Sequence, residues 1–168
     1  LFAAGCELLL SIASAGQVVP QGEPPYFVLI EEALRDEGTS HHYRPPSSYA
    51  ALRTPLHNQL RDSFTGVSVP VHTGRSWTTD APYRETQTAI AAAREEGIMA
   101  VEREAAALYA FAEARNRPVA CFAHVTNQMA VEEGDFEKGA ADGVRDALAL
   151  TTAAADACDD RLADEQDA

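Results

Sequence analysis

The sequence predicts an α/β layered fold. Short apolar runs of strand length alternate with amphipathic or Ala-rich segments of helix length, and polar clusters fall where the apolar runs stop. At 168 residues and 46% hydrophobic content the chain has material for one real core and is too apolar for a disordered polymer.

The elements follow in order. Residues 7–12 form an apolar run ending in the small residues Ala13, Ser14, Ala15 and Gly16, which reads as a buried strand entering a tight loop. After turn material at 20–25, Tyr26 to Ile30 reads as a second strand, and 35–43 as a polar loop or strand end closed by Pro45 and Pro46. Leu52, Leu56, Leu60 and Phe64 recur every fourth residue, as on an amphipathic helix that Gly66 ends. Val67, Val69 and Val71 alternate with period two, which predicts a strand followed by a polar stretch at 74–80. A helix over 85–96 stops at Gly97, and 98–101 is a brief strand. A helix over 104–116 is closed by Pro118, and 119–126 is a further buried strand. The last helix spans 142–164, with Val144, Leu148 and Leu150 on or near its inner face.

Composition excludes several classes. The formal net charge of −13 and a pI near 4.6 argue against binding a nucleic-acid polymer or an anionic membrane, since phosphate neutralisation needs a basic face. No run approaches the ~18 apolar residues of a membrane span. The first 15 residues mimic a secretory signal, but no cation precedes the run and Glu7 interrupts it, so a buried strand is the expectation. Cys6, Cys121 and Cys158 are odd in number and widely spaced, as free and mostly buried thiols of a reducing cytoplasm would be. The histidines at 41, 42, 57, 72 and 124 carry no metal-ligand spacing; they read as loop and surface residues, with His41 and His42 pointing apart on a strand. The chain opens on Leu1 and has its first methionine at Met99, so it reads as missing its front. Residues 156–168 carry six acids and one arginine and read as a solvated tail.

Four polar clusters sit at strand ends: Ser14 to Gly16, residues 78–84, Val125 to Gln128, and Glu102-Arg103-Glu104. In open α/β sheets, loops at the carboxyl ends of strands converge on one crevice, where ligands bind. Glu102 and Glu104 admit two readings, a paired-carboxylate site or a solvated cap on the helix that follows.

The wording of these clusters resembles the nucleoside phosphorylase family. Gly97-Ile98-Met99-Ala100-Val101-Glu102-Arg103-Glu104-Ala105-Ala106 resembles its Val-Glu-Met-Glu-Ala-Ala signature. Ile12-Ala13-Ser14-Ala15-Gly16 is similar to the Gly-Ser/Thr-x-Gly loop, residues 34–43 to an Arg-x-Glu/Asp-Gly-Thr-Ser-x-His segment, and Thr78-Thr79-Asp80-Ala81-Pro82-Tyr83 to the Ser/Thr-Asp-x-Phe-Tyr element. The resemblance implies a three-layer α/β/α fold with a mixed central sheet, phosphorylase/hydrolase-like and incomplete at the N-terminus. It divides the chain into a partial domain over 1–155 and the acidic tail.

It further implies cleavage of a nucleoside by phosphate to free base and ribose 1-phosphate, with inorganic phosphate as co-substrate, no other cofactor, and a cytoplasmic homo-oligomer. Glu104 matches the ribose ligand and Ser14 the serine that touches phosphate and ribose. Asn127 stands where purine-specific members have a proton-donating aspartate. Glu102, Arg103, Asp80, Tyr83 and Arg84 complete the implied substrate-binding set, with Tyr83 or Trp77 available to stack on the base. The pattern is departed from at several places: the glutamine and arginine that mark uracil selectivity have no clean counterpart, Arg84 and Gln87 being only loosely placed. Arg103 replaces the signature's central methionine, and Ser11 stands where phosphorolytic members carry an arginine. The departure at Ser11 keeps a hydrolytic nucleosidase as an alternative, beside a catalytically inactive remnant.

Overall fold

The computed structural model describes residues 1–127 and 143–164. Among these, six strands form one mixed sheet: β1 (Leu9–Gln17), β2 (Tyr26–Asp36), β3 (Tyr49–Ala51), β4 (Val71–Thr79), β5 (Ile98–Glu102) and β6 (Val119–Asn127), in the order β3-β2-β4-β5-β1-β6. Four helices accompany it: α1 (Thr54–Leu60), α2 (Gln87–Glu95), α3 (Ala105–Arg115) and α4 (Val144–Asp164). The α/β class and mixed sheet are as expected from the sequence.

Closure of the sheet was not foreseen. β6 runs parallel to β1 and also antiparallel to the first half of β2, from Tyr26↔Val125 to Leu29↔Phe122. Beyond Leu29 that edge of β2 passes to β3, paired from Glu32↔Ala51 to Leu34↔Tyr49. Where β6 and β2 part, the fully buried Tyr109 of α3 fills the missing rung. Its hydroxyl donates to the Ile30 carbonyl at 2.5 Å and accepts from the Cys121 N–H at 3.1 Å. Tyr109→Phe is therefore expected to strand both backbone groups and cost about 2–3 kcal/mol. Urea unfolding checks this, and a loss under about 0.5 kcal/mol would defeat it.

Two apolar clusters join helices to sheet. The larger gathers Phe27, Leu29, Leu56, Leu60, Tyr109, Phe122 and Leu150; the smaller, beneath α2, gathers Val18, Trp77, Ala93, Ile98 and Val101. Gly97 ends the α2 segment at φ 73°, the left-handed conformation expected of a helix-terminating glycine.

Several local expectations are corrected. Ser14, Ala15 and Gly16 lie inside β1 and not in a loop, because β6 and β5 both supply hydrogen-bonding partners there. The polar stretch at 74–80 is mostly β4, whose side-chain hydroxyls find buried partners, whereas Val67 and Val69 precede the strand in turn and bend. Arg35 and Asp36 extend β2, and His41 and His42 sit in a 3-10 turn at Ser40–His42. The helix expected over 52–64 is confined to α1. His124 is a core residue, stacked on Phe27 with ring centroids 4.5 Å apart. Of the three free thiols only Cys121 is buried.

In α4, Leu150 is buried but Val144 and Leu148 are 64% and 66% exposed. The inner face is set by Asp146, Leu150 and Ala154, with the Asp146 carboxylate accepting the Ser68 hydroxyl at 2.5 Å. Val144 and Leu148 fall two positions off that stripe, roughly 200° around the helix. α4 ends at Asp164, where the sequence places the end of the last helix. Asp142 and Gln128 lie outside the described residues. No described helix is long and apolar enough to cross a membrane.

Candidate functional site

The carboxyl ends of β1, β5 and β6 converge. β1 meets β5 antiparallel at Gly16↔Val101, and a register shift after Ala15 brings Gly16 opposite Asn127, leaving Thr126 as the extra residue. Such a bulge re-aims side chains at a strand end. Thr126, buried, sits 3.0 Å from the hydroxyl of exposed Ser14. A cleft of about 240 Å³ opens there, lined by Ser14, Gly16, Glu85, Val101, Glu102, Arg103 and Asn127.

The acidic pair divides its labour. Glu102 is 2% exposed, and its carboxylate accepts four hydrogen bonds. The Ser76 and Thr78 hydroxyls reach Oε1 at 2.9 and 2.5 Å, and the Glu104 and Ala105 N–H groups reach Oε2 at 2.7 and 2.8 Å. Thr78 is beside Glu102 because β4 and β5 run parallel in the register Thr78↔Glu102. Glu102 is thus a cap for the first turn of α3, though a buried one and not solvated. Burial pushes its carboxyl above the usual range, and the four donors pull it back only in part. Glu104 makes no side-chain cap bond; it is exposed, and its Oε2 accepts from the Arg103 N–H at 3.2 Å. A carboxylate held at a helix start yet turned to solvent remains available to hydroxyl donors.

The remaining candidates separate. Ser14, Glu102, Arg103 and Asn127 share the cleft, whereas Glu104, Asp80, Tyr83 and Arg84 are not among its lining residues. Asp80 accepts from the Gly38 N–H at 3.1 Å and ties the end of β4 to the loop after β2. Tyr83 is fully exposed, and Arg84 is exposed in the turn Pro82–Arg84. Trp77 belongs to the core, where its indole N–H donates to Asp36 at 2.9 Å.

Glu85 enters the cleft without having been singled out, because at sequence level it is only the first residue of a predicted helix. Desolvation raises its carboxyl, and the Arg103 guanidinium opposes that rise. The hydroxyl of Ser76 was equally hidden, and although Thr78 heads the segment similar to the Ser/Thr-Asp-x-Phe-Tyr element, nothing in the sequence joins it to Glu102.

A family model, the phosphorylase superfamily, matches residues 1–156. The chain belongs to this superfamily. Solved relatives agree in fold. A uridine phosphorylase from Vibrio fischeri is 22% identical with a TM-score of 0.68, over 91% of this chain and 60% of its own. An AMP nucleosidase from Bacteroides thetaiotaomicron is 16% identical with a TM-score of 0.72, over 94% and 65%. A Plasmodium knowlesi homologue of the P. falciparum PNP is 17% identical with a TM-score of 0.73, over 98% and 65%. The chain therefore spans under two thirds of the length of these superfamily structures. No curated protein matches it in sequence.

Proposed function

We propose that this superfamily member handles the sugar and base of a nucleoside and cleaves the N-glycosidic bond with inorganic phosphate. The C1′–N bond breaks, the base departs with the bonding electrons, and a phosphate oxygen bonds to C1′ to give ribose 1-phosphate. The observation that carries this reading is the gathering of Ser14, Glu102, Arg103 and Asn127 around one cleft, with Glu104 in the adjoining turn.

Glycosidic cleavage passes through a cationic, oxocarbenium-like sugar, so oriented negative charge lowers the barrier. In this reading Glu104 accepts the ribose hydroxyls and supplies that charge, while Glu102 holds the turn. Ser14 donates to phosphate or ribose. Asn127 hydrogen-bonds the base, but an amide cannot act as a titrating acid. Asp80 fixes the β4 end, and Tyr83 and Arg84 close over substrate from outside the cleft. The reaction needs no cofactor beyond phosphate. Its setting is the cytoplasm, in a homo-oligomer, with no nucleic-acid polymer as partner.

Of Arg103 and Arg84, the two arginines in the implied substrate-binding set, Arg103 lines the cleft and is the one placed to offset negative charge near phosphate. Arg103→Met is expected to raise the KM for phosphate at least ~5-fold with a smaller effect on the nucleoside KM, as loss of one charge-assisted contact would. An unchanged phosphate KM removes Arg103 from the phosphate site.

Hydrolysis is the second reading, favoured by Ser11 at the position of the phosphorolytic arginine and by a lining that, among the described residues, sets Glu85 and Glu102 against the one cation Arg103. Incubating purine and pyrimidine nucleosides with and without phosphate distinguishes the two. Phosphate-dependent ribose 1-phosphate supports phosphorolysis; free ribose at a rate independent of phosphate supports the nucleosidase. Silence toward every nucleoside defeats both.

A further inference from the structure

We propose that Thr78, assisted by Ser76, is a positioning residue for nucleoside cleavage, locking the turn that presents Arg103 and Glu104. The inference rests on the functional reading above. Neither hydroxyl lines the cleft, and both residues are fully buried on β4.

Thr78 Oγ1 occupies a junction. It donates to Glu102 Oε1 at 2.5 Å and accepts from the Ala106 N–H at 3.0 Å. Glu102 Oε2 in turn takes the N–H groups of Glu104 and Ala105. Three consecutive N–H groups at the start of α3 are thereby satisfied by one carboxylate and one hydroxyl, with Ser76 Oγ holding the same Oε1 at 2.9 Å. A helix start leaves these donors without intrahelical partners. Which side-chain atoms take them determines the backbone path through 103 and 104.

The strands supply the rigidity. Thr78 and Glu102 are register partners in a parallel pair, while Arg103 and Glu104 lie in the short turn between β5 and α3. A carboxylate that must meet ribose hydroxyls needs placement within a fraction of an ångström, and misplacement by about 1 Å costs on the order of 100-fold in rate. The Thr78 hydroxyl couples that turn to the sheet through two hydrogen bonds at once, so removing it loosens the turn without touching the cleft surface.

The test compares Thr78→Val, which keeps the shape and loses the hydroxyl, with Thr78→Ser, which keeps the hydroxyl. Wild-type protein is first assayed on the nucleoside panel. The expected result is a fall in kcat of at least ~10-fold for Thr78→Val at temperatures well below its Tm, recovery to within about 3-fold by Thr78→Ser, and little change in the nucleoside KM. The acidic limb of the kcat profile should also move to higher pH in Thr78→Val, because a donor that stabilises the Glu102 carboxylate is gone. A purely structural role would lower Tm but leave that limb in place. If Thr78→Val does not fold, Ser76→Ala carries the test with a smaller fall of about 3-fold and the same shift of the limb. An active wild type with both features unchanged in the folded variant overturns the inference alone. A wild type inactive on every nucleoside overturns the functional reading and this inference with it.

Discussion

Glu104→Gln is expected to lower kcat for nucleoside cleavage at least ~10-fold while leaving Tm nearly unchanged. The amide preserves shape and one acceptor oxygen but removes the negative charge that the proposed reaction sets against the developing sugar cation. Little stability is at stake, because Glu104 is exposed and makes no side-chain cap bond to α3. The pairing of large kinetic and small thermodynamic effect is the diagnostic. Turnover equal to wild type would remove Glu104 from the reaction, and a Tm drop of many degrees would show that it holds the fold instead.

Glu102 should behave in the opposite way. Glu102→Leu keeps most of the volume but strands the Glu104 and Ala105 N–H groups and the Ser76 and Thr78 hydroxyls, all now satisfied by the carboxylate. Unpaired buried donors cost roughly 1–3 kcal/mol each, and the hydroxyls can partly re-pair, so a loss of about 3–5 kcal/mol is expected. Glu102→Gln should cost under about 1.5 kcal/mol: the amide oxygen takes the two N–H groups, and its NH2 donates to hydroxyls that rotate to accept.

The pH dependence follows from the upward displacement of the Glu102 carboxyl. The folded state binds this proton more tightly than the unfolded chain does. The associated stabilisation is therefore complete below the unfolded value near 4.5 and is lost as pH rises through the folded one. Glu102→Gln should flatten wild-type stability across that window. Identical pH curves for the two proteins, or a Glu102→Leu variant as stable as wild type, would defeat this account.

Elements whose side chains carry their own periodicity were legible in the sequence. Residues 98–101, 104–116 and 119–126 correspond closely to β5, α3 and β6 because apolar runs bounded by Gly97 and Pro118 encode burial locally. β4 was missed over much of its length. Gly74, Ser76, Thr78 and Thr79 are buried polar or small residues whose place in a strand depends on partners in β5 and β2. β3, three residues long, has no pattern of its own and exists only as an edge added to β2.

The site divides along the same line. Spacing brought Glu102 and Glu104 to attention but left cap and site as equal readings, since both produce carboxylates at a helix start. The parallel register of β4 with β5 separates them, by adding the buried Ser76 and Thr78 hydroxyls to the two N–H groups that Glu102 takes from its own turn, while Glu104 is left to solvent. Glu85 reaches the cleft from a segment 17 residues before Glu102, and nothing local marks it.

By itself the sequence determined the layered class, the positions of most strands and helices, and the segments that mark the phosphorylase superfamily. These are properties of short stretches: hydrophobic period, punctuation by glycine and proline, and residue spacing. The tertiary structure alone decided that the sheet closes through β2 and β6, that Trp77 is core and Tyr83 is surface, and which of two carboxylates is buried. Those outcomes depend on hydrogen-bond partners contributed by distant strands, and no stretch of the chain carries its partner's side of a bond.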